Sequence, residues 1–229
     1  MLTQAELEIV LLSLRVAGFA VLCALPFAMG AAFVLARWQF RGKVLFDAVV
    51  HLPLLLPPVL TGYVLLVLLG RQGMIGQALE QWFGISLAFR WTGAVVAAAV
   101  MAFPLFVRAI RLSLEAIPRE IDEMSYSLGA RPWATFWQVL LPLSLPGVAA
   151  GMALAFAKAL GEFGATITFV SNIPGESQTL SLAMHTLTQV PGGEGGIARL
   201  AVVSVALAIG ALLASEWLVR RSAFRRASE

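Results

Sequence analysis

The sequence predicts an all-α protein, a polytopic bundle of about five membrane-spanning helices with six as the upper bound, and three observations carry that prediction. Of 229 residues, 59% are hydrophobic and only 13% charged, with a mean hydropathy of +0.86, so the charges are too few to clothe a soluble globule of this size. Five apolar stretches reach the roughly 20 residues needed to cross a hydrocarbon core about 30 Å thick. Between the third and fourth lies a polar segment, "PREIDEMSYSLGARPWATFWQVLLP" at 118–142, unlike either neighbour.

The first stretch runs from about Ile9 to Ala36. Its flank "MLTQAELE" is acidic and its apolar run too long for a cleaved signal peptide, so it is expected to remain as a span. The second, Val44 to Leu69, is broken in its middle by Pro53, Pro57 and Pro58. Those prolines free backbone carbonyls, which is tolerated only against protein or water, and they mark either a packed kink or a pathway. Arg15 and Asp47 lie near span ends, where a charged head reaches the interface, and His51 is expected to be a satisfied buried residue. The third stretch covers Trp91 to Val107.

The polar segment then reads as a helical hairpin. Pro118 suits a first helical turn, and Glu120, Asp122 and Glu123 complement the positive end of the helix dipole. Ile117, Ile121, Met124 and Leu128 form one apolar stripe, with Glu120, Glu123 and Ser127 opposite. Gly129 ends the helix in a left-handed conformation; Pro132 opens a second short helix with Trp133, Phe136, Trp137 and Leu140 on one face, and Pro142 closes it. Such a pair can rest on lipid headgroups or be held by a partner.

The fourth apolar region begins near Leu143 and continues to Val170, as one long tilted helix or as a helix followed by a re-entrant piece. Within it Lys158 and Glu162 lie four apart and can pair, as a structural ion pair or as part of a pathway, because an intramembrane charge is costly unless paired or wet. Gly161 and Gly164 favour close helix packing. Thr166, Thr168, Ser171 and Asn172 offer hydroxyl and amide donors. The segment "QTLSLAMHTL" suits a short amphipathic helix, a docking element or a lid at the bilayer edge, and the fifth stretch covers Leu200 to Val219.

Basic residues orient the bundle. With the amino terminus outside, the inner loops hold Arg37, Arg41, Lys43, Arg108, Arg111, Arg119, Arg131, Arg220, Arg221, Arg225 and Arg226, against Arg71, Arg90 and Arg199 outside. The hairpin, about 117–142, and the carboxy terminus therefore face the cytoplasm of a plasma membrane, and the loop of about 171–198 faces out. Anionic inner-leaflet lipid accounts for the net charge of +3 without nucleic acid. The whole of 1–229 reads as a single transmembrane domain without repeat or low-complexity tract. One cysteine, Cys23, and two histidines, His51 and His185, support neither a disulfide nor a zinc site. "GGEGG" at 192–196 lacks the lysine of a phosphate loop, and no nucleophile elbow or zinc-protease helix is present, so no enzymatic activity is expected.

The spacing of the hairpin is what lipid contact leaves unexplained. Glu123, Gly129, Val139, Leu141 and Pro142 stand where the cytoplasmic EAA loop of ABC importer permeases has Glu-Ala-Ala, three residues, Gly, nine residues, Ile, one residue, Leu-Pro, so the segment resembles that loop. Met124 and Ser125 replace the two alanines, and Val139 the isoleucine. The resemblance implies that Glu123 and Gly129, with Arg131 and Trp133 beside them, couple the chain to a separate ATPase subunit. That subunit binds ATP and Mg, so this chain binds no cofactor, and nucleotide-driven closure moves two permease copies, here a homodimer, between inward-open and outward-open states. The stretch 157–189 is in turn similar to molybdate permeases, in "GEFGAT" at 161–166, Asn172-x-Pro174-Gly175 and "QTL" at 178–180, as is "HLPLLLPPVLTGYVLL" at 51–66. Sulfate permeases share the Gly-Glu-aromatic-Gly kernel at 161–164 but depart soon after it. The implied cargo is molybdate or tungstate, delivered by an extracytoplasmic oxyanion-binding protein; Thr166, Thr168, Ser171 and Asn172, by residue type, are expected either to offer donors along the route or to serve packing. An ion-coupled secondary carrier would show inverted repeats and matched broken helices, and a scaffold would use the hairpin as a lipid anchor.

Overall fold

The computed structural model describes the backbone of residues 2–227 and the side chains through Trp217. Arg220, Arg221, Arg225 and Arg226, part of the orienting charge set, fall outside the described side chains.

The bundle is built on α1 (Gln4–Arg37), α5 (Trp91–Glu115) and α8 (Leu141–Leu160), with α11 (Glu194–Ala227) laid against α8. Lipid tails are as apolar as leucine, so helices in a membrane associate through close packing of small residues. The contact face of α1 accordingly reads Ala17, Ala20, Ala24, Ala28, Ala31 and Ala32, and that of α5 reads Ala94, Ala97, Ala98 and Ala102, all buried. α5 is the most enclosed span, whereas few of the described residues of α11 are fully buried.

Among the described residues, four helices are long and apolar enough to cross a membrane, or five if the bent pair below is one span. The second expected span corresponds to two helices, α2 (Lys43–Leu55) and α3 (Pro58–Leu69), bent by 110° to one another. The bend has a local cause. Pro57 excludes Leu56 from helical geometry, leaving it extended at ψ 149°, and Pro58 then occupies the first turn of the next helix. Pro53, expected to share in the break, lies inside α2 without ending it. The fourth apolar region is a helix followed by a separate piece: α8 stops at Leu160, and α9 (Gly164–Val170) starts afresh and packs on α3.

The hairpin also departs from expectation in its second half. Pro142 closes nothing. α7 (Pro132–Thr135) runs through a π-helical stretch, Phe136–Leu140, into α8, so that residues 132–160 form one continuous helical span. Proline lacks an N–H and its ring collides with the carbonyl four residues back. Widening the preceding turn, where the Leu141 N–H donates to the Phe136 carbonyl, relieves that collision and lets the helix pass. Shorter helices include α6 (Glu120–Ser127) in the first half of the hairpin and α10 (Leu180–Thr188) in the loop at the other end. An amphipathic helix, α4 (Met74–Phe83), was not expected, although Gly73 and Gly84 punctuate it in the sequence.

Polar ties fix the two ends. At one, Glu6 takes part in a capping box with Thr3 and receives the Arg199 guanidinium through Nε and Nη2, the shortest contact 2.7 Å, joining α1 to α11. At the other, Arg37 closes α1 onto the hairpin, and Arg111 of α5 pairs with Asp47 of α2 at 3.0 Å. Asp47 is thus a bridge rather than a snorkelling charge, and His51, only half-buried, hydrogen-bonds through Nδ1 to the Asp47 backbone carbonyl at 2.9 Å. Arg15 also stays on the protein, its guanidinium 3.7 Å above the Trp91 ring.

Candidate functional site

The hairpin forms a knob whose inner half is anchored and whose outer half is free. Backbone turns from Pro118 and Arg119 start α6, and the Glu120, Asp122 and Glu123 carboxylates occupy its first turn. Ile117 is buried and Ile121 packs on the same core cluster. Arg37 supplies a second anchor: its Nη2 donates to the Ile117 carbonyl at 3.1 Å, and its Nε lies 3.3 Å from an Asp122 oxygen, with both side chains largely buried. Sequence reasoning assigned Asp122 only to the helix dipole; its distance along the chain from Arg37, on another helix, hides the pair.

The helix ends in a Schellman turn. The Ala130 N–H reaches the Ser125 carbonyl at 3.0 Å, the Gly129 N–H reaches Tyr126 at 2.9 Å, and Gly129 adopts φ +82°. A side chain there would meet open space, so it is backbone conformation rather than room that calls for glycine. Beyond the anchors the expected apolar stripe divides. Met124 is 65% exposed and Leu128 87%, and together with Glu120, Glu123 and Ser127 they line an open groove of about 430 Å³. Arg131 and Trp133 follow at the start of α7, both exposed, as are Glu123 and Gly129; of the four, Glu123 lines the outer groove, and Trp133 lines the groove on the α1 side. A rigid, short helix with uncovered leucine and methionine beside acidic residues is suited to sit in the cleft of a partner.

The second cluster gathers where α8 breaks. Lys158 Nζ donates to Glu162 Oε2 at 2.7 Å, and the Ala165 N–H donates to Glu162 Oε1 at 3.0 Å, so one buried carboxylate satisfies both the ammonium and the start of α9. Gly164 packs tightly on Pro58 of α3; Gly161 meets no neighbouring helix and serves only where α8 ends, against the expectation of packing at both. Lys158→Ala would leave Glu162 buried with one donor, and is expected to cost about 3 kcal/mol. Glu162→Gln keeps an acceptor for Ala165 and should lower the thermal midpoint in detergent by less.

Two of the remaining expected donors are engaged within the protein. Thr168 donates to the Gly164 carbonyl of its own helix, and Asn172 Nδ2 donates to Thr186 at 2.6 Å, binding the loop to α10. Thr166 is buried. Ser171 stands at φ +64°, ψ −163°, a region kept almost wholly for glycine, at the turn where α9 ends. Two serines that sequence reasoning passed over hold this end together. Ser177, fully buried, receives the Ile173 N–H at 3.1 Å, and Ser13 of α1 caps α10 by accepting the Leu180 N–H at 2.8 Å. α10 buries Leu180, Leu182 and Ala183, so its apolar face is taken by the bundle rather than by the bilayer edge.

Comparison with known proteins agrees with this layout. Residues 24–224 match the family described as binding-protein-dependent transport system inner membrane component. The chain is 58% identical to the molybdenum transport system permease protein ModB of Escherichia coli (strain K12) over 221 residues, covering 96% of each chain. It is 55% identical to the protein of that name from Haemophilus influenzae, covering 94% of each. Among solved structures, a chain of a bacterial alginate ABC transporter, crystallised with an alginate-bound periplasmic protein, superposes with a TM-score of 0.74 at 15% identity, covering 96% of this chain and 80% of that one.

Proposed function

The chain belongs to the family of binding-protein-dependent transport system inner membrane components, and from that premise we propose that it is the permease subunit of an ATP-driven importer that carries molybdate, or its near twin tungstate, into the cytoplasm. Identity of 58% to a molybdenum permease over 96% of both chains is the observation that carries this reading.

The geometry fits the division of labour that follows. α6 offers Glu123, Met124 and Leu128 to the cleft of an ATPase subunit, which holds the ATP and Mg, and Gly129 lets the chain turn closely against it. The Arg37–Asp122 tie and the continuous helix from Pro132 to Leu160 link displacement of the knob to the spans, since packed helices shift as rigid bodies. Two copies enclose the route, and an extracytoplasmic oxyanion-binding protein delivers cargo at the end carrying α10. The donors at Thr168 and Asn172 are already engaged, which suits a pathway that must release its ion as readily as it accepts it, with selection resting on the receptor.

The test is ATP hydrolysis by the permease reconstituted with its ATPase and with receptor loaded with molybdate, tungstate or sulfate. Stimulation by molybdate-loaded or tungstate-loaded receptor is expected. Stimulation by sulfate alone would overturn the cargo, and hydrolysis indifferent to the permease would overturn the coupling.

A further inference from the structure

Between α1 and the hairpin, behind α6, lies an open groove of about 900 Å³. Its interior is apolar, with Leu25, Met29 and Phe33 along α1 facing Phe136 and Leu140. Its mouth is amphipathic: Trp38, Trp133 and Trp137 stand there, 57%, 71% and 47% exposed, in an aromatic chain that runs from Trp38 through Phe33 and Phe136 to the other two. Tryptophan concentrates at the boundary between acyl chains and headgroups, so the mouth lies at headgroup level and the interior at acyl level.

Charge selects the headgroup. Of the two arginines at the mouth, Arg37 is committed to Asp122, while Arg119 is exposed and has no ion-pair partner among the described residues. Arg131 directly precedes Pro132 of the lining. Glu123, the rim's other acid, is shared with the groove on the far side of α6. An uncommitted guanidinium above an apolar slot is complementary to a phosphate attached to an acyl chain.

We propose that this groove seats one anionic phospholipid from the leaflet on the hairpin side, its acyl chain along α1 and its phosphate at Arg119. The inference rests on the reading of the hairpin as the ATPase handle only for its consequence: the lipid fills the space behind α6 and braces the knob, so that coupling depends on anionic lipid.

Native mass spectrometry of the full-length permease in mild detergent, offered phosphatidylglycerol or phosphatidylcholine, reads retention without receptor, oxyanion or ATP, so its failure is distinct from failure of the transport reading. Wild type is expected to retain phosphatidylglycerol about fivefold better, the preference one basic contact confers. Arg119→Gln should erase the preference. Gly30→Leu, at a lining position where an added side chain meets open space, should reduce retention of both lipids. Equal retention of the two lipids by wild type, or unchanged retention in both variants, overturns the proposal. So does loss of the dimer in Gly30→Leu with lipid retention intact, which would assign the groove to a second copy of the chain.

Discussion

Leu128→Glu is expected to weaken assembly of the permease with its ATPase by at least about 30-fold, while the permease itself stays folded. The residue is 87% exposed, the highest fraction among the large apolar side chains of the knob, and it ends the stripe whose first two members, Ile117 and Ile121, are held in the core. Truncating a central interface anchor costs about 2 kcal/mol or more, which is the 30-fold change, and placing an unpaired carboxylate in a desolvated cleft adds to it. Nothing that supports α6 is disturbed: the Arg37 contacts to Ile117 and Asp122 and the Schellman turn at Gly129 involve other atoms. Co-purification of the ATPase in detergent, alongside the thermal midpoint of the permease alone, reads both halves of the expectation. Retained assembly would remove α6 as the docking surface; a collapsed midpoint would mean that Leu128 belongs to the fold.

Gly62→Val is expected to have the largest effect on the fold itself, lowering stability by more than about 4 kcal/mol and leaving little extractable protein. A Cβ at position 62 would lie 2.5 Å from the Ala165 carbonyl oxygen, 2.8 Å from its Cα and 2.9 Å from the Thr168 Cβ. Two of those three atoms are backbone, so no rotamer change relieves the clash. α9 cannot retreat either, because Glu162 pins its first turn and Gly164 is pressed against Pro58 of the same helix that carries Gly62. Gly210→Ala is the matched control, since an added Cβ there meets nothing. Detergent extraction followed by thermal unfolding compares the two; equal midpoints would show that the contact between α3 and α9 yields freely.

The environment, the positions of most spans and the knob were legible in the chain because each depends on local order of residues. Hydropathy over a window reports transfer into lipid, and Pro118, Gly129 and Pro132 punctuate the hairpin through backbone sterics alone. The Lys158–Glu162 pair was legible for the same reason, four residues on one helix. Where expectation failed, the cause was non-local. Pro142 looked like a stop, yet the π-turn before it lets the helix continue because Leu140 and Val148 are buried in the core on either side. Asn172 looked like a free donor, yet Thr186 stands 2.6 Å away on another helix.

The sequence by itself therefore determined that this is a helical membrane protein with an amphipathic hairpin of coupling-loop spacing, since composition, period and turn chemistry are properties of neighbours along the chain. Only the tertiary structure decided that the second span folds through 110°, that half of the apolar stripe on α6 is anchored and half exposed, and that a groove opens behind it. Those features depend on which helices pack together, and packing joins residues such as Arg37 and Asp122, or Gly62 and Ala165, whose separation along the chain carries no local signal.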